Sequence, residues 1–153
     1  MPKQSTKDAG KEGEEIALRH LKELGLAIIE TNYRYGKSGE IDIIAKDGDV
    51  LVFCEVKLRK SDMYGDPEFG VTPRKQTQVR KLAEIYLWDK QIENQECRFD
   101  VVAIKKYPGM KMEINYIPSA FWIEFIEFME FVEFVELVEL VELGGGLHKL
   151  YQP

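Results

Sequence analysis

The hydrophobic pattern of the chain predicts two helices. Between about residues 6 and 24 apolar residues recur at helical spacing, and Gly25 follows as a stop. The residues on its apolar face are Ala17, Leu21 and Leu24. A second helix is expected to begin with Thr72 as N-cap and Pro73 in the first turn, and to run to about Trp88. Both helices are expected to pack against a sheet.

Short runs rich in β-branched and aromatic residues predict five strands. They span residues 26–34, 40–45, 50–58, 97–106 and 111–117. The predicted order is α-β-β-β-α-β-β, an α/β fold with a mixed sheet flanked by helices. Because a helix joins the third and fourth strands, that pair is expected to be parallel. The Asp47-Gly48 pair instead predicts a tight antiparallel hairpin between the second and third strands.

The register of this hairpin decides which charged residues share a face. With Asp47 and Gly48 as the two residues of a type I′ turn, Asp42 is expected to oppose Phe53. Asp42 then lies diagonal to Glu55, at a backbone separation of roughly 7 Å. One face would carry Glu40, Asp42, Glu55 and Lys57 beside Ile44, Leu51 and Phe53, and the other Ile41, Ile43, Val52 and Val56.

Carboxylates as close as Asp42 and Glu55 repel each other and resist desolvation, so they need a charge partner. Oxygen-only ligands suit Mg²⁺ or Mn²⁺, whereas zinc normally recruits His or Cys ligands. Glu14 at the inward edge of the first helix and Lys75 on the buried face of the second are further candidates. The alternatives are a structural ion-pair network on a solvated face and, for Glu14, a favourable interaction with the helix dipole.

Charge is distributed unevenly along the 153 residues. Residues 1–121 hold 20 Lys and Arg against 20 Asp and Glu, whereas residues 122–153 hold one Lys against seven Glu, which accounts for the whole net charge of -6. A neutral body with local basic runs is compatible with a polyanion partner. The two cysteines lack C-x-x-C spacing and the N-terminus lacks an apolar signal segment, so a cytoplasmic location is expected.

The chain is expected to divide into a domain at residues 1–121 and a low-complexity acidic and apolar extension at residues 122–153. The extension repeats apolar residues and glutamate with a period of three from Ile123 to Leu143. On a helix this period carries the glutamates around the whole surface, and seven charges make a membrane span unfavourable. We expect a helix ended by Gly144 that packs on the body or on another copy in a homo-oligomer. Repeat expansion without function is the alternative.

The spacing of Asp42, Glu55 and Lys57 resembles the D…E-x-K signature of the restriction-endonuclease-like, or PD-(D/E)XK, nuclease superfamily. Glu14 on the preceding helix resembles the arrangement in archaeal Holliday-junction resolvases. Residues 10–121 more closely resemble the YraN family of bacterial predicted endonucleases. The matching segments are G-x-x-G-E-x-x-A (10–17), N-Y-R (32–34), G-E-I-D (39–42), L-V-F-x-E-V-K-x-R (51–59), G-x-P-x-x-x-V-x-x-x-K (65–75) and R-F-D-V-V (98–102).

The resemblance implies a restriction-endonuclease-like fold for the nuclease-like domain, and a metal-dependent phosphodiesterase site. Mg²⁺ or Mn²⁺ would be held by Asp42, Glu55, Glu14 and the Val56 carbonyl. Asp42, Glu55 and Lys57 would be catalytic, with Lys57 orienting the attacking water or stabilising charge on the phosphorane. The residues expected to contact phosphates are Arg34, Arg59 and Lys75.

The function expected from these residues is metal-dependent hydrolysis of DNA phosphodiester bonds, on branched or single-stranded DNA. Two other classes stay open: a non-catalytic nucleic-acid-binding protein of the same fold, and an interaction protein that uses its C-terminal tail. Individual residues also have simpler interpretations. Lys75 is alternatively a snorkelling lysine, and Arg59 a surface charge.

Overall fold

The computed structural model describes residues 6–61, 63 and 71–121. These residues form two helices and five strands in the predicted order, and the α/β fold is confirmed. The elements are α1 (Thr6–Glu23), β1 (Ala27–Arg34), β2 (Glu40–Asp47), β3 (Val50–Arg59), α2 (Pro73–Asp89), β4 (Cys97–Lys105) and β5 (Glu113–Phe121). Residues 62 and 64–70, and the extension predicted at 122–153, lie outside the described residues.

The start of α2 agrees with its predicted N-cap, whereas α1 ends one residue before Leu24. The Thr72 side chain accepts a hydrogen bond from the Lys75 N–H at 3.2 Å, so the predicted N-cap of α2 is confirmed. The helix α1 ends at Glu23, and Leu24 is 51% exposed while Leu26 is buried. Leu24 was expected on the apolar face, but the helix stops one residue short of it.

No helix in the described part of the chain is long and apolar enough to span a membrane.

The five strands form one sheet in the order β1-β2-β3-β4-β5. The pair β3–β4 is parallel and the other pairs are antiparallel, as the helix crossover predicts. A core lies on each face. The cluster that includes α2 contains Phe53, Val79, Leu82, Tyr86, Phe99 and Phe121. The cluster that includes α1 contains Ile16, Ala17, Leu21, Val52, Cys54 and Val102.

The hairpin β2–β3 is confirmed, but its predicted register is wrong by two residues. Asp47 pairs with Val50, so the turn residues are Gly48 and Asp49. Gly48 has a φ of 58° and Asp49 does not have a positive φ, which excludes a type I′ turn. A shift of two positions keeps every side chain on its face. Continued one step beyond the last regular pair, Ile43 and Cys54, this register would place Asp42 opposite Glu55 rather than diagonal to it, but the regular pairing ends there.

The predicted face of Ile41 is wrong for a different reason. Ile41 packs in the cluster with α2, whereas Ile43 packs in the cluster with α1. Ile41 and Ile44 share a cluster although they are three residues apart, so the alternation of a regular strand is interrupted between them. The interruption falls at Asp42 and at Asn32, its counterpart on β1, whose φ of 53° is left-handed. The distorted segment is the one that carries the candidate site.

Candidate active site

Asp42 lies where the regular pairing of β2 with β3 ends. Its Oδ2 accepts a hydrogen bond from the Val56 backbone N–H at 2.8 Å, so a side chain replaces the backbone acceptor of a regular ladder. On β3, Glu55 pairs with Val101 of β4 and is 3% exposed. The two predicted acids are close enough to interact, because the Glu55 carboxylate contributes to the raised pKa of Asp42.

Glu55 has two cationic neighbours and one unsatisfied oxygen. The Lys57 Nζ lies 3.4 Å from Glu55 Oε1, and the Lys75 Nζ lies 3.6 Å from the same oxygen. The second oxygen, Oε2, is buried and has no hydrogen-bond partner among the described residues. A buried carboxylate oxygen without a donor carries its full desolvation cost. Glu55 is therefore compensated on one side and left open on the other.

A second group of carboxylates adjoins Asp42. One oxygen each from Glu14, Glu40 and Asp42 can be chosen so that all lie within 4.8 Å of one another. Helix α1 brings Glu14 here because Gly13 allows close approach to β3. A Cβ at Gly13 would lie 3.0 Å from the Leu58 Cβ, tighter than nearly all such contacts. Glu40 was not among the predicted metal ligands, although the predicted face included it.

The electrostatics of this group favour a bound cation. Burial and, second, the Glu55 carboxylate raise the pKa of Asp42 to about 7, and Glu14 adds to the rise while the Val56 hydrogen bond opposes it. The Glu55 Oε2 is buried without a donor among the described residues, so a positive partner would offset its desolvation cost. All the donors are carboxylate oxygens, which fit a hard divalent cation. The carboxylates that converge closely enough to share a cation are Glu14, Glu40 and Asp42; the predicted ligand Glu55 is not in this group, although its carboxylate acts electrostatically on Asp42.

The predicted basic residues are placed differently from one another. Lys75 is beside Glu55 rather than at the rim, and its helix face is buried through Val79, Leu82 and Tyr86 as expected. Arg34 forms an ion pair with Glu40 and its side chain is 71% exposed. Arg59 is half-buried, and its Nη1 contacts the Leu58 carbonyl at 3.4 Å. For Val56, the structure assigns the N–H to Asp42. A ligand role of its carbonyl stays a prediction.

Asp100, in the R-F-D-V-V segment, is the centre of a network that satisfies both of its carboxylate oxygens. Arg98 donates to both its carboxylate oxygens at 2.9–3.2 Å, and the Ser119 N–H donates to Oδ1 at 2.9 Å. The Tyr116 hydroxyl also donates to Oδ2. This network spans the irregularity between β4 and β5. Asp100 therefore stabilises the sheet.

Asn32 and Glu40 are the site residues that sequence reasoning missed. Asn32 donates hydrogen bonds to both Glu14 and Glu40. Both residues fall within segments already matched by motif, N-Y-R and G-E-I-D. An available signal for Asn32 was an asparagine inside a predicted strand, because asparagine is depleted in strands and tolerates left-handed backbone.

Comparison with known proteins gives the family. A model described as "Uncharacterised protein family UPF0102" matches residues 13–104. A UPF0102 protein of Syntrophus aciditrophicus is 48% identical over 113 residues, covering 73% of this chain and 87% of that protein. A relative from Geotalea daltonii is 46% identical, covering 78% and 93%, and one from Dictyoglomus turgidum is 41% identical, covering 76% and 99%. The matched region includes every candidate site residue. The chain therefore belongs to the UPF0102 family, also called the YraN family.

Proposed function

We propose that this protein is a metal-dependent nuclease that hydrolyses DNA phosphodiester bonds, with Mg²⁺ or Mn²⁺ as its cofactor. The observation that carries the proposal is the environment of Glu55, a buried carboxylate with one oxygen beside two lysines and the other without a donor in the described part of the chain. A purely structural ion pair would be expected to satisfy both oxygens. The D…E-x-K resemblance supports the same conclusion independently.

The metal would be held by Asp42, Glu55 and Glu14, with the Val56 carbonyl as a further ligand by resemblance. When bound, it supplies Lewis-acid polarisation of the phosphate and lowers the pKa of a bound water. Asp42 has one oxygen committed to the Val56 N–H, which fixes the orientation of its carboxylate toward β3. Its raised pKa means that ionised Asp42 gains from a nearby cation.

The two lysines supply positive charge from different elements. Lys57 on β3 and Lys75 on α2 both approach Glu55 Oε1, so a phosphate next to this oxygen would meet both ammonium groups. In the proposed reaction Lys57 orients the attacking water and stabilises the negative charge that develops on the phosphorane. Lys75 holds a non-bridging phosphate oxygen beside it.

We propose that two arginine side chains, Arg34 and Arg59, contribute to the selection of the substrate. Arg34 is exposed and paired with Glu40 at the edge of the carboxylate group, where it is available to a neighbouring phosphate. Arg59 follows Lys57 by two positions on the same strand and extends the basic line. We propose branched or single-stranded DNA as the substrate and a cytoplasmic location for the reaction.

The test is cleavage of junction, flap, single-stranded and duplex DNA by the full chain, with Mg²⁺, with Mn²⁺ and with chelator. Glu55→Ala and Lys57→Ala are expected to lower the cleavage rate on the order of 10²-fold or more, because each removes charge at the reacting phosphate. Matched controls are the exposed Glu96→Ala and Lys111→Ala, which should cleave at the wild-type rate.

Two outcomes would overturn the nuclease proposal. Absence of cleavage by the wild-type chain, with DNA binding retained in both site variants, would favour the non-catalytic nucleic-acid-binding protein. A partner that copurifies with the chain and is lost on truncation after Phe121, again without cleavage, would favour the interaction protein.

A further inference from the structure

The Asn32 side chain joins two carboxylates that come from different elements. Its Nδ2 donates to Glu14 Oε2 on α1 at 2.8 Å and to Glu40 Oε1 at the start of β2 at 2.7 Å. An asparagine amide offers two hydrogens, so both donors are used. Hydrogen bonds to ionised acceptors are stronger and better directed than neutral ones. One amide therefore fixes the separation between α1 and β2 at the site.

The backbone of Asn32 is unusual at the same point. It has a φ of 53°, in the left-handed region that asparagine tolerates better than most residues. Its neighbours Thr31 and Tyr33 pair with Ile43 and Ile41, so Asn32 occupies the position opposite Asp42. The irregularity in β1 and the amide bridge thus belong to one residue, next to the first carboxylate of the site.

The bridge orders the carboxylates without neutralising them. A lysine or arginine between Glu14 and Glu40 would cancel part of their charge, whereas the amide is neutral. The cationic partner of Glu40 is Arg34, which lies on the exposed side. The amide therefore cancels none of the negative charge of Glu14, one of whose oxygens lies within 4.8 Å of an oxygen of Asp42. This combination suits a cation site.

We propose that Asn32 is a positioning residue that orients the Glu14 carboxylate toward a divalent cation shared with Asp42. The inference rests on the proposed function for the presence of that cation. Asn32 acts through Glu14 and contacts neither the cation nor the DNA. Hydrogen-bond partners that orient metal ligands typically change metal affinity by about 10- to 100-fold when removed.

The test is a titration of the full chain with Mn²⁺ alone, in which the electron paramagnetic resonance signal measures the concentration of free Mn²⁺. Asn32→Gly removes the amide and keeps a residue that readily adopts positive φ. It is expected to raise the Mn²⁺ dissociation constant on the order of 10-fold. The matched control is Asn94→Gly, because Asn94 is also exposed and left-handed (φ 52°) and lies in the connection between α2 and β4. Its affinity should equal that of the wild type.

A double-mutant cycle separates positioning from a general structural effect. Glu14→Gln should weaken Mn²⁺ binding, and Asn32→Gly added to it should change the affinity less than about twofold, since its effect passes through Glu14. Urea unfolding of each variant checks that the fold is kept.

Unchanged Mn²⁺ affinity in Asn32→Gly, or a full additional loss on the Glu14→Gln background, would overturn the positioning role and leave the proposed function standing. A wild-type chain that binds no Mn²⁺ would overturn the proposed function and this inference with it.

Discussion

Glu55 and Asp100 are the two buried acidic residues of the described part of the chain, and their surroundings are opposite. Asp100 accepts hydrogen bonds at both oxygens from a guanidinium, a hydroxyl and a backbone N–H. Glu55 has two lysines near one oxygen, at 3.4 and 3.6 Å, and its other oxygen has no donor among the residues that the structure describes. The difference teaches that hydrogen-bond saturation, rather than burial, distinguishes an acid that stabilises the sheet from one that we propose binds a cation.

The largest expected effect is a difference in the free energy of unfolding between a variant of Asp100 and a variant of Glu55. Asp100→Asn leaves the Arg98 guanidinium without its carboxylate and should lower the free energy of unfolding by about 3–5 kcal/mol. Glu55→Gln removes a carboxylate that is only partly satisfied and should change it by less than about 1 kcal/mol. Urea unfolding at pH 7.5 with chelator measures both. Equal losses in the two variants would contradict the distinction.

The second effect is a pH dependence that belongs to the site. The pKa of Asp42 is raised to about 7, above the ordinary aspartate value of 3.8, so its protonated form favours the folded state. Without divalent cations its contribution to stability is fully present below about pH 4 and is lost as the pH rises through 7.

Asp42→Asn tests this assignment, because asparagine keeps an oxygen for the Val56 N–H and does not titrate. Between pH 5 and pH 8 the wild type should lose more stability than Asp42→Asn, by on the order of 2 kcal/mol. Urea unfolding across this range measures the difference. Parallel profiles for the two proteins would show that Asp42 is not buried against other carboxylates.

The smallest effect concerns how α1 delivers Glu14. Gly13→Ala places a Cβ 3.0 Å from the Leu58 Cβ, so the Leu58 side chain or α1 must shift by a few tenths of an ångström. Gly10→Ala, in the same helix, meets no atom within 4 Å and should stabilise the protein by about 0.5–1 kcal/mol through helix propensity. Gly13→Ala should forfeit that gain and weaken Mn²⁺ binding. Equal stabilisation by both substitutions, measured by thermal unfolding, would show that close approach at Gly13 is not required.

The fold could be predicted because its signals are local. The Thr72 cap, the hairpin and the crossover helix each depend on a few neighbouring residues, and all three are present in the structure. The hairpin register depends on which two of Asp47, Gly48 and Asp49 form the turn. Gly48 is a turn residue in either case, so the glycine does not decide between the two registers. The two-residue error kept Asp42 and Glu55 near each other, because side chains of a strand alternate with a period of two.

The parts of the site that could not be predicted depend on contacts between distant segments. The bridge from Asn32 to Glu14 joins residues 18 apart in sequence, and no periodicity encodes it. Ile41 lies on the opposite face from the predicted one because the alternation of side chains is interrupted at Asn32 and Asp42. A regular two-residue pattern does not predict such an interruption. Leu24 was misplaced by an apolar periodicity that continued past the last helical residue.

Arg98 binds Asp100 through one edge of its guanidinium and reaches Asp47 at the tip of the β2–β3 hairpin, 2.9 Å away, through Nη2. The other end of that hairpin carries Asp42 and Glu55, so this ion pair ties the tip of β2 to β4 at the end remote from the candidate site. Through Arg98, the acid that stabilises the sheet is also linked to the strand that carries Asp42. Substitution of Asp100 would leave Arg98 with only one of these two carboxylate partners, and a change on β4 would then shift the strand that presents a proposed metal ligand.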